Sequence, residues 1–238
     1  IKLYQSSKKI FITGINSFTG KHLMPVLKKF DFRIINLSKE TATTETDVSI
    51  DLHDQQGLYD FLCKHNPDYV IHLAAITNTT YFDPRAYYET NVIGTLNLLK
   101  SINDLVKRPR HIILASSANI YGNQSDKIIT EKTALDPVNH YAASKVAMEL
   151  MARQWQNQLP ITIVRPFNYT GVGQSENFLI PKIVSHFKET AKSINLGNLD
   201  VSRDFSDVRF VVNAYLRLLE NNEAIGKTIN ICSGRSYS

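Results

Sequence analysis

The sequence predicts an α/β fold, a doubly wound parallel sheet with helices on both faces and a small C-terminal lobe. Three observations carry this. Short β-branched runs alternate with helix-length segments, the runs lack polar alternation, and a gapped glycine pair stands where the first run meets the first helix. Strands buried on both faces read as unbroken apolar runs, and strands alternating with helices form parallel sheets.

In order, "KKIFIT" (Lys8 to Thr13) reads as the first strand and a helix follows from about Phe18 to Phe30. "FRIINL" is the second strand, a helix spans about Asp54 to Cys63, and "DYVIHL" is the third strand. One long helix is expected from about Pro84 to Asn103, then "RHIILAS" as the fourth strand. A helix opening at Tyr141 and running to Gln158 leads to the fifth strand, "ITIVRP". After Pro166 the loops lengthen, a helix starts near Phe178, and "SINLGNLDVSRDF" reads as short and irregular before a last strand, "KTINIC". Residues 1–166 are therefore taken as a dinucleotide-binding domain. Residues 167–238 are taken as a substrate-binding lobe, some of whose segments pack back on the first domain. The lobe reads as truncated, and a start at Ile1 without Met reads as trimmed or tag-derived.

Composition narrows the class. The 238 residues, 43% hydrophobic and 21% charged, are enough for one large core and too apolar for disorder. No apolar run approaches the roughly eighteen residues of a membrane helix, and no signal peptide is visible. Cys63 and Cys232 lie far apart with no CxxC or His companion, which fits packed thiols in a reducing, cytoplasmic setting with no metal site. The net charge of +5 comes from scattered basic residues, the pattern of a solvated face rather than a nucleic-acid surface.

"FITGINSFTG" places Gly14, Asn16, Ser17, Phe18 and Gly20 at the first strand–helix junction. A pyrophosphate needs close backbone and the free N–H groups of a helix start, so this turn is read as dinucleotide-binding. Ser17 stands where a middle glycine is usual. An acid near the end of the second strand would favour NAD; Ser38 and Lys39 stand there instead, which suits a 2′-phosphate and favours NADPH, with NAD as the alternative.

In "HYAASKVAMEL" Tyr141 and Lys145 lie one helical turn apart. The same spacing recurs at Tyr4 and Lys8, so the pair alone decides nothing. Position does: the Tyr141 helix follows the fourth strand, whose end carries Ser117 in "ASSANIYG". A phenol is a poor acid–base group until a cation stabilises its phenolate, and Lys145 is expected to lower the Tyr141 pKa while Ser117 holds a substrate oxygen.

With these pieces the chain resembles the extended short-chain dehydrogenase/reductase family of nucleotide-sugar epimerases, dehydratases and ketoreductases. The carrying motifs are "TGINSFTG", "IDLHD", "HLAA", "NVIGTLNLL", "SSANIYG", "YAASK", "RPFN" and "RDFSDVR", in family order from Thr13 to Arg209. "LGNLDVSRDFSDVR" with "RPFNYTGVGQ" looks most like enzymes of GDP-6-deoxy-4-ketohexoses, especially reductases. The resemblance implies a Rossmann fold and Ser117, Tyr141 and Lys145 as catalytic residues. It places Asp51 and Leu52 at the adenine, Leu73, Ala74 and Ala75 along the nicotinamide ribose, and Phe167 at the nicotinamide. It sets Asn119, Asn168, Asn177, Leu179 and Arg203 on the substrate side, where a turn-forming asparagine and a surface ion pair of Arg203 with Asp204 or Asp207 are the plainer alternatives.

Family dehydratases carry an acid one or two positions after the catalytic Ser or Thr. Ala118 and Asn119 stand there, which argues against dehydration. Phe210 replaces the acid that commonly follows "DVR", leaving the pairing of Arg209 open.

The implied activity is NADPH-dependent reduction of the C4 keto group of a nucleotide-linked 4-keto-6-deoxyhexose. An NAD-dependent 4-epimerase and a catalytically silent dinucleotide-binding regulator are the rivals. Leu96, Leu99, Leu150 and Trp155 form an apolar stripe that suits either a homodimer or the protein's own core.

Overall fold

The computed structural model describes residues 7–37, 47–48, 50–78, 83–124, 128–190, 192–197 and 199–238. Ser38 and Lys39, read as favouring NADPH, lie outside the described residues, as does Tyr4. Lys8 pairs with Glu220 at 2.9 Å.

The strands are β1 (Lys9–Thr13), β2 (Arg33–Leu37), β3 (Asp47–Val48), β4 (Tyr69–His72), β5 (His111–Ala115), β6 (Ile161–Pro166), β7 (Asn168–Thr170), β8 (Arg203–Asp207), β9 (Thr228–Ile231) and β10 (Ser236–Tyr237). The α-helices are α1 (Phe18–Lys29), α2 (Gln55–His65), α3 (Pro84–Tyr88), α4 (Gly94–Asn103), α5 (His140–Arg153), α6 (Leu179–Lys188) and α7 (Val208–Leu219). Among the described residues, seven strands form one sheet in the order β3-β2-β1-β4-β5-β6-β9, and every pairing in it is parallel. The expected doubly wound sheet is present.

Strand pleat divides the core in two. Phe11, Val70, Ile112, Leu114, Ile161 and Ile163 point to the face covered by α2, α4 and α5, where they meet Leu58, Leu62, Leu98, Leu99 and Met148. Ile10, Ile12, Ile71, Ile113 and Val164 point to the other face, against Leu23 and Leu27 of α1 and Val211, Tyr215 and Leu216 of α7. Both faces are dry, so these strands show no polar alternation. Leu99 belongs wholly to this core and Trp155 packs against it, whereas Leu150 is 52% exposed.

Two expectations are corrected here, and a third is made specific. The "irregular" segment before Asp207 contains β8, which pairs in parallel with β7 and antiparallel with β10 to form a small second sheet. Strand β9 is a segment of the C-terminal part that packs back on the main sheet, closing its edge beside β6. The Tyr141 helix ends at Arg153, short of Gln158.

The long helix expected from Pro84 is interrupted by a π-turn over Glu89–Ile93. The cause is Asn91, which is turned inward. Its Oδ1 accepts from the Ile76 N–H (2.9 Å) and its Nδ2 donates to the Ile76 carbonyl (3.1 Å) and to Ser144 Oγ (2.9 Å). Thr95 Oγ1 donates to the Asn91 carbonyl (2.8 Å), which gives that group a partner across the widened turn. Asn91→Ala would leave both backbone groups of Ile76 without this partner. Equilibrium urea unfolding is expected to show a loss of about 1–3 kcal/mol.

Candidate active site

The glycine turn is built for close approach. Gly14 has φ +74°, and a Cβ there would lie 2.7 Å from the Ala74 nitrogen; at Gly20 a Cβ would lie 2.2 Å from the Ile15 carbonyl oxygen. Ser17 caps α1: its N–H donates to the Gly14 carbonyl (3.0 Å) and its Oγ accepts from the Gly20 N–H (3.1 Å). Asn16 and Ser17 are exposed at this helix start. Phe18 stacks on Tyr169, and Thr19 Oγ1 hydrogen-bonds the Tyr169 hydroxyl at 2.7 Å. A turn this tight, ending in a helix N-terminus with a small capping residue, fits a pyrophosphate laid against it.

The strip after β4 lies against that turn. The Leu73 N–H donates to the Thr13 carbonyl (3.1 Å) and the Ala74 N–H to Thr13 Oγ1 (3.2 Å), with Ala75 next along the chain. Asp51 is exposed and takes the N–H and Nδ1 of His53, whereas Leu52 is buried with its carbonyl held by Asn97.

The three side chains expected to be catalytic come together beside it. Asn139 caps α5 by accepting from the Ala142 N–H (2.8 Å), which fixes the helix start and places Tyr141 and Lys145 on one buried face. Lys145 Nζ donates to the Ala115 carbonyl at 2.8 Å, two residues before Ser117. Ser117 Oγ accepts from the Asn119 N–H at 3.2 Å and faces the Tyr141 hydroxyl closely enough to oppose its upward shift. Tyr141 and Lys145 are 7% and 3% exposed.

The electrostatics differ from expectation. Burial pushes the Tyr141 phenol up to about 12 against the opposing hydrogen bond from Ser117, and nearby Tyr169 adds to the rise. Burial lowers Lys145 to about 8, with Glu149 pulling it back up. The expected depression of Tyr141 by Lys145 is not what the protein alone produces, because desolvation dominates.

On the opposite side, Phe167 donates its N–H to the Ile231 carbonyl (2.9 Å) and Asn168 Nδ2 reaches the Asp204 carbonyl (3.4 Å). Arg203 is exposed on β8, and among the described residues it forms no ion pair. Its suspected partners are engaged elsewhere. Asp207 is bound bidentately by Arg209, and Asp204 accepts from the N–H groups of Ser233, Gly234 and Arg235. The Arg209 pairing left open by Phe210 is thus Asp207. Asn177 is exposed, and Leu179 opens α6, whose cap residue Phe178 makes no side-chain hydrogen bond.

The sequence profile of the NAD dependent epimerase/dehydratase family matches residues 10–232. The chain belongs to this family. It is 40% identical over 235 residues to a GDP-6-deoxy-D-talose 4-dehydrogenase of Aggregatibacter actinomycetemcomitans, covering 97% of this chain and 76% of that one. It is 34% identical to a GDP-6-deoxy-D-mannose reductase of Pseudomonas aeruginosa, covering 96% and 76%. Among solved structures, RMD from Pseudomonas aeruginosa complexed with NADPH superposes with a TM-score of 0.83 at 32% identity, over 97% of this chain and 80% of that one. The two relatives are named for GDP-6-deoxyhexoses, and the RMD structure holds NADPH.

Sequence reasoning missed a directional hydrogen-bond chain behind this family's site. Thr95 spends its proton on the Asn91 carbonyl, so it must accept from His72 Nε2–H (2.9 Å). His72 Nδ1 then accepts from Thr13 Oγ1 (2.6 Å), which accepts in turn from the Ala74 N–H. Burial, with the Lys145 charge adding, lowers His72 to about 3 and keeps it neutral. The available signal was a histidine and a threonine on otherwise core-facing stripes, at "YVIHL" and "NVIGT".

Two outcomes follow from these contacts. Gly20→Ala is expected to weaken NADPH binding more than about tenfold in fluorescence titration, since backbone oxygens fill the space of the added methyl. His72 binds protons far better when unfolded. Its contribution is complete above pH 6.5 and is lost as pH falls from 6.5 towards 3, by about 1.5 kcal/mol between pH 6.5 and 5. His72→Gln should lack that component in urea unfolding measured at both pH values.

Proposed function

We propose that the chain reduces the C4 keto group of a GDP-linked 4-keto-6-deoxyhexose with NADPH. The observation that carries this is the buried convergence of Ser117, Tyr141 and Lys145 beside the glycine turn. The substrate class rests on relatives named for GDP-6-deoxy-D-talose and GDP-6-deoxy-D-mannose, and the cofactor on the NADPH-bound RMD neighbour.

The glycine turn and α1 start (Gly14, Asn16, Ser17, Phe18, Gly20) hold the pyrophosphate. Asp51 and Leu52 border the adenine, and Leu73–Ala75, Lys145 and Phe167 line the nicotinamide ribose side. When bound, NADPH supplies the hydride. Ser117 holds the carbonyl oxygen by its hydroxyl. Tyr141, a phenol already neutral at pH 7 and raised further by burial, gives its proton to that oxygen as it becomes an alkoxide, a far stronger base than a phenolate. Lys145 keeps its proton at pH 7 and places a positive charge beside the tyrosinate that remains. Carbonyl, hydride and proton sum to the alcohol. Ala118 and Asn119 offer no acid or base for dehydration.

Residues 167–238 supply the substrate lobe, with Asn119, Asn168, Asn177, Leu179 and Arg203 on the sugar nucleotide. Arg203, exposed with its neighbouring carboxylates already engaged, is suited to a phosphate. A homodimer through α3 to α5 is supported by exposed Tyr88, Ile93 and Leu150. Cys63 is exposed and Cys232 half-buried, so the thiols are not packed as expected; as free cysteines they fit a cytoplasmic setting, and among the described residues no helix is long and apolar enough to cross a membrane.

Tyr141→Phe should cut NADPH oxidation with the GDP-keto sugar by about 10²–10⁴-fold while leaving cofactor affinity near wild type. Wild-type turnover in that variant overturns the assignment. Copurifying NAD with no net NADPH consumption would replace the reductase reading with an epimerase.

A further inference from the structure

One buried guanidinium lies behind the site. Arg165 is 1% exposed and Glu149 0%. Arg165 Nε donates to Glu149 Oε1 at 2.9 Å and Nη2 to Oε2 at 2.6 Å. Its Nη1 donates to the Tyr121 hydroxyl (2.7 Å) and to the Glu131 carbonyl (3.2 Å), and the guanidinium lies 5.1 Å from the Tyr121 ring centroid. The Tyr121 hydroxyl donates to Asn230 Oδ1 (2.8 Å), and the Asn230 N–H donates to Glu131 Oε1 (2.8 Å).

The segments joined are the ones that carry the site. Glu149 is on α5 with Tyr141 and Lys145, Tyr121 ends the short 3₁₀ turn that Ser117 caps, and Arg165 precedes Phe167 and Asn168. An apolar trio of similar volume would hold these segments at least as firmly, because desolvating two charges costs about what their attraction returns. A charge retained there points to an electrostatic use.

Glu149 is one helical turn beyond Lys145 on the same buried face. Among the described residues, Lys145 also faces the Ala115 carbonyl of β5 and neutral His72 of β4, with Tyr141 one turn before it on α5. Arg153, on the helix's exposed side, touches Glu149 at 3.4 Å, and Arg165 stands behind it from β6. Of these, Glu149 is the group that carries negative charge.

We propose that Glu149, oriented by Arg165, is a positioning residue for the site cation: its carboxylate keeps Lys145 protonated in a pocket that would otherwise neutralise it. This rests on the reading of Lys145 as the charge beside Tyr141. The burial that lowers Lys145 and the opposing pull of Glu149 agree in sign. Losing the carboxylate lowers the lysine further, so activity should fall at a lower pH as pH rises.

The test is an NMR titration of the ε-¹³C lysine signal of Lys145, assigned by Lys145→Arg, in the free protein. Glu149→Gln should move the Lys145 midpoint down by about one pH unit. The alkaline limb of kcat/KM should move with it, while NADPH affinity at pH 6 stays near wild type. Because Glu149→Gln strands the Arg165 cation and can fail to fold, Glu149→Leu/Arg165→Met supplies a charge-free pair of similar bulk. If the folded double variant titrates Lys145 at the wild-type pH, the pair is only structural and the proposal is wrong. The titration needs no substrate. A wild type inert towards every GDP-keto sugar would therefore sink the reductase reading while the lysine midpoints still decide this one.

Discussion

The hydrogen bond from Lys145 to the Ala115 carbonyl is the contact on which the site depends. It docks the first turns of α5 on the carboxyl end of β5 and so brings Tyr141 to Ser117, two residues further along the chain. The same docking removes both ionisable side chains from water, which drives the phenol and the ammonium towards their neutral forms. The proposed proton donor is thereby held protonated, and its neighbouring cation is left in need of support. The buried Glu149–Arg165 pair stands where such support has to come from.

Much of this was legible in the sequence because it follows from strand pleat and turn chemistry. Unbroken apolar runs such as "IIL" (Ile112 to Leu114) read as strands buried on both faces, and Gly14 and Gly20 stand where a side chain would strike backbone. Tyr141 and Lys145 were separable from the chance pair at Tyr4 and Lys8 by chain order alone, since only the former follow the strand that ends at Ser117.

What was missed depends on contacts between distant segments. Strand β8 is short and half exposed, so it owes its existence to pairing with β7 and β10 rather than to any apolar period. The π-turn arises because Asn91 bonds the backbone of Ile76, fifteen residues away. The His72 chain needs Thr13, Thr95 and Asn91 from three elements. The direction of the Tyr141 shift was misread for a related reason: spacing shows that a lysine is near, but only packing shows how dry the pocket is. Residue identity sets which charges are available, and burial sets their magnitude.

Packing raises the Tyr141 phenol above its ordinary range before any ligand arrives. The shift can be measured directly by titrating ¹³Cζ-labelled tyrosine in the free protein, with Tyr141 assigned from its absence in a variant. The account predicts a Tyr141 midpoint well above 10, towards the value of about 12 that burial imposes. A midpoint below 10 would mean that the cation, not desolvation, governs the phenol, and would contradict it.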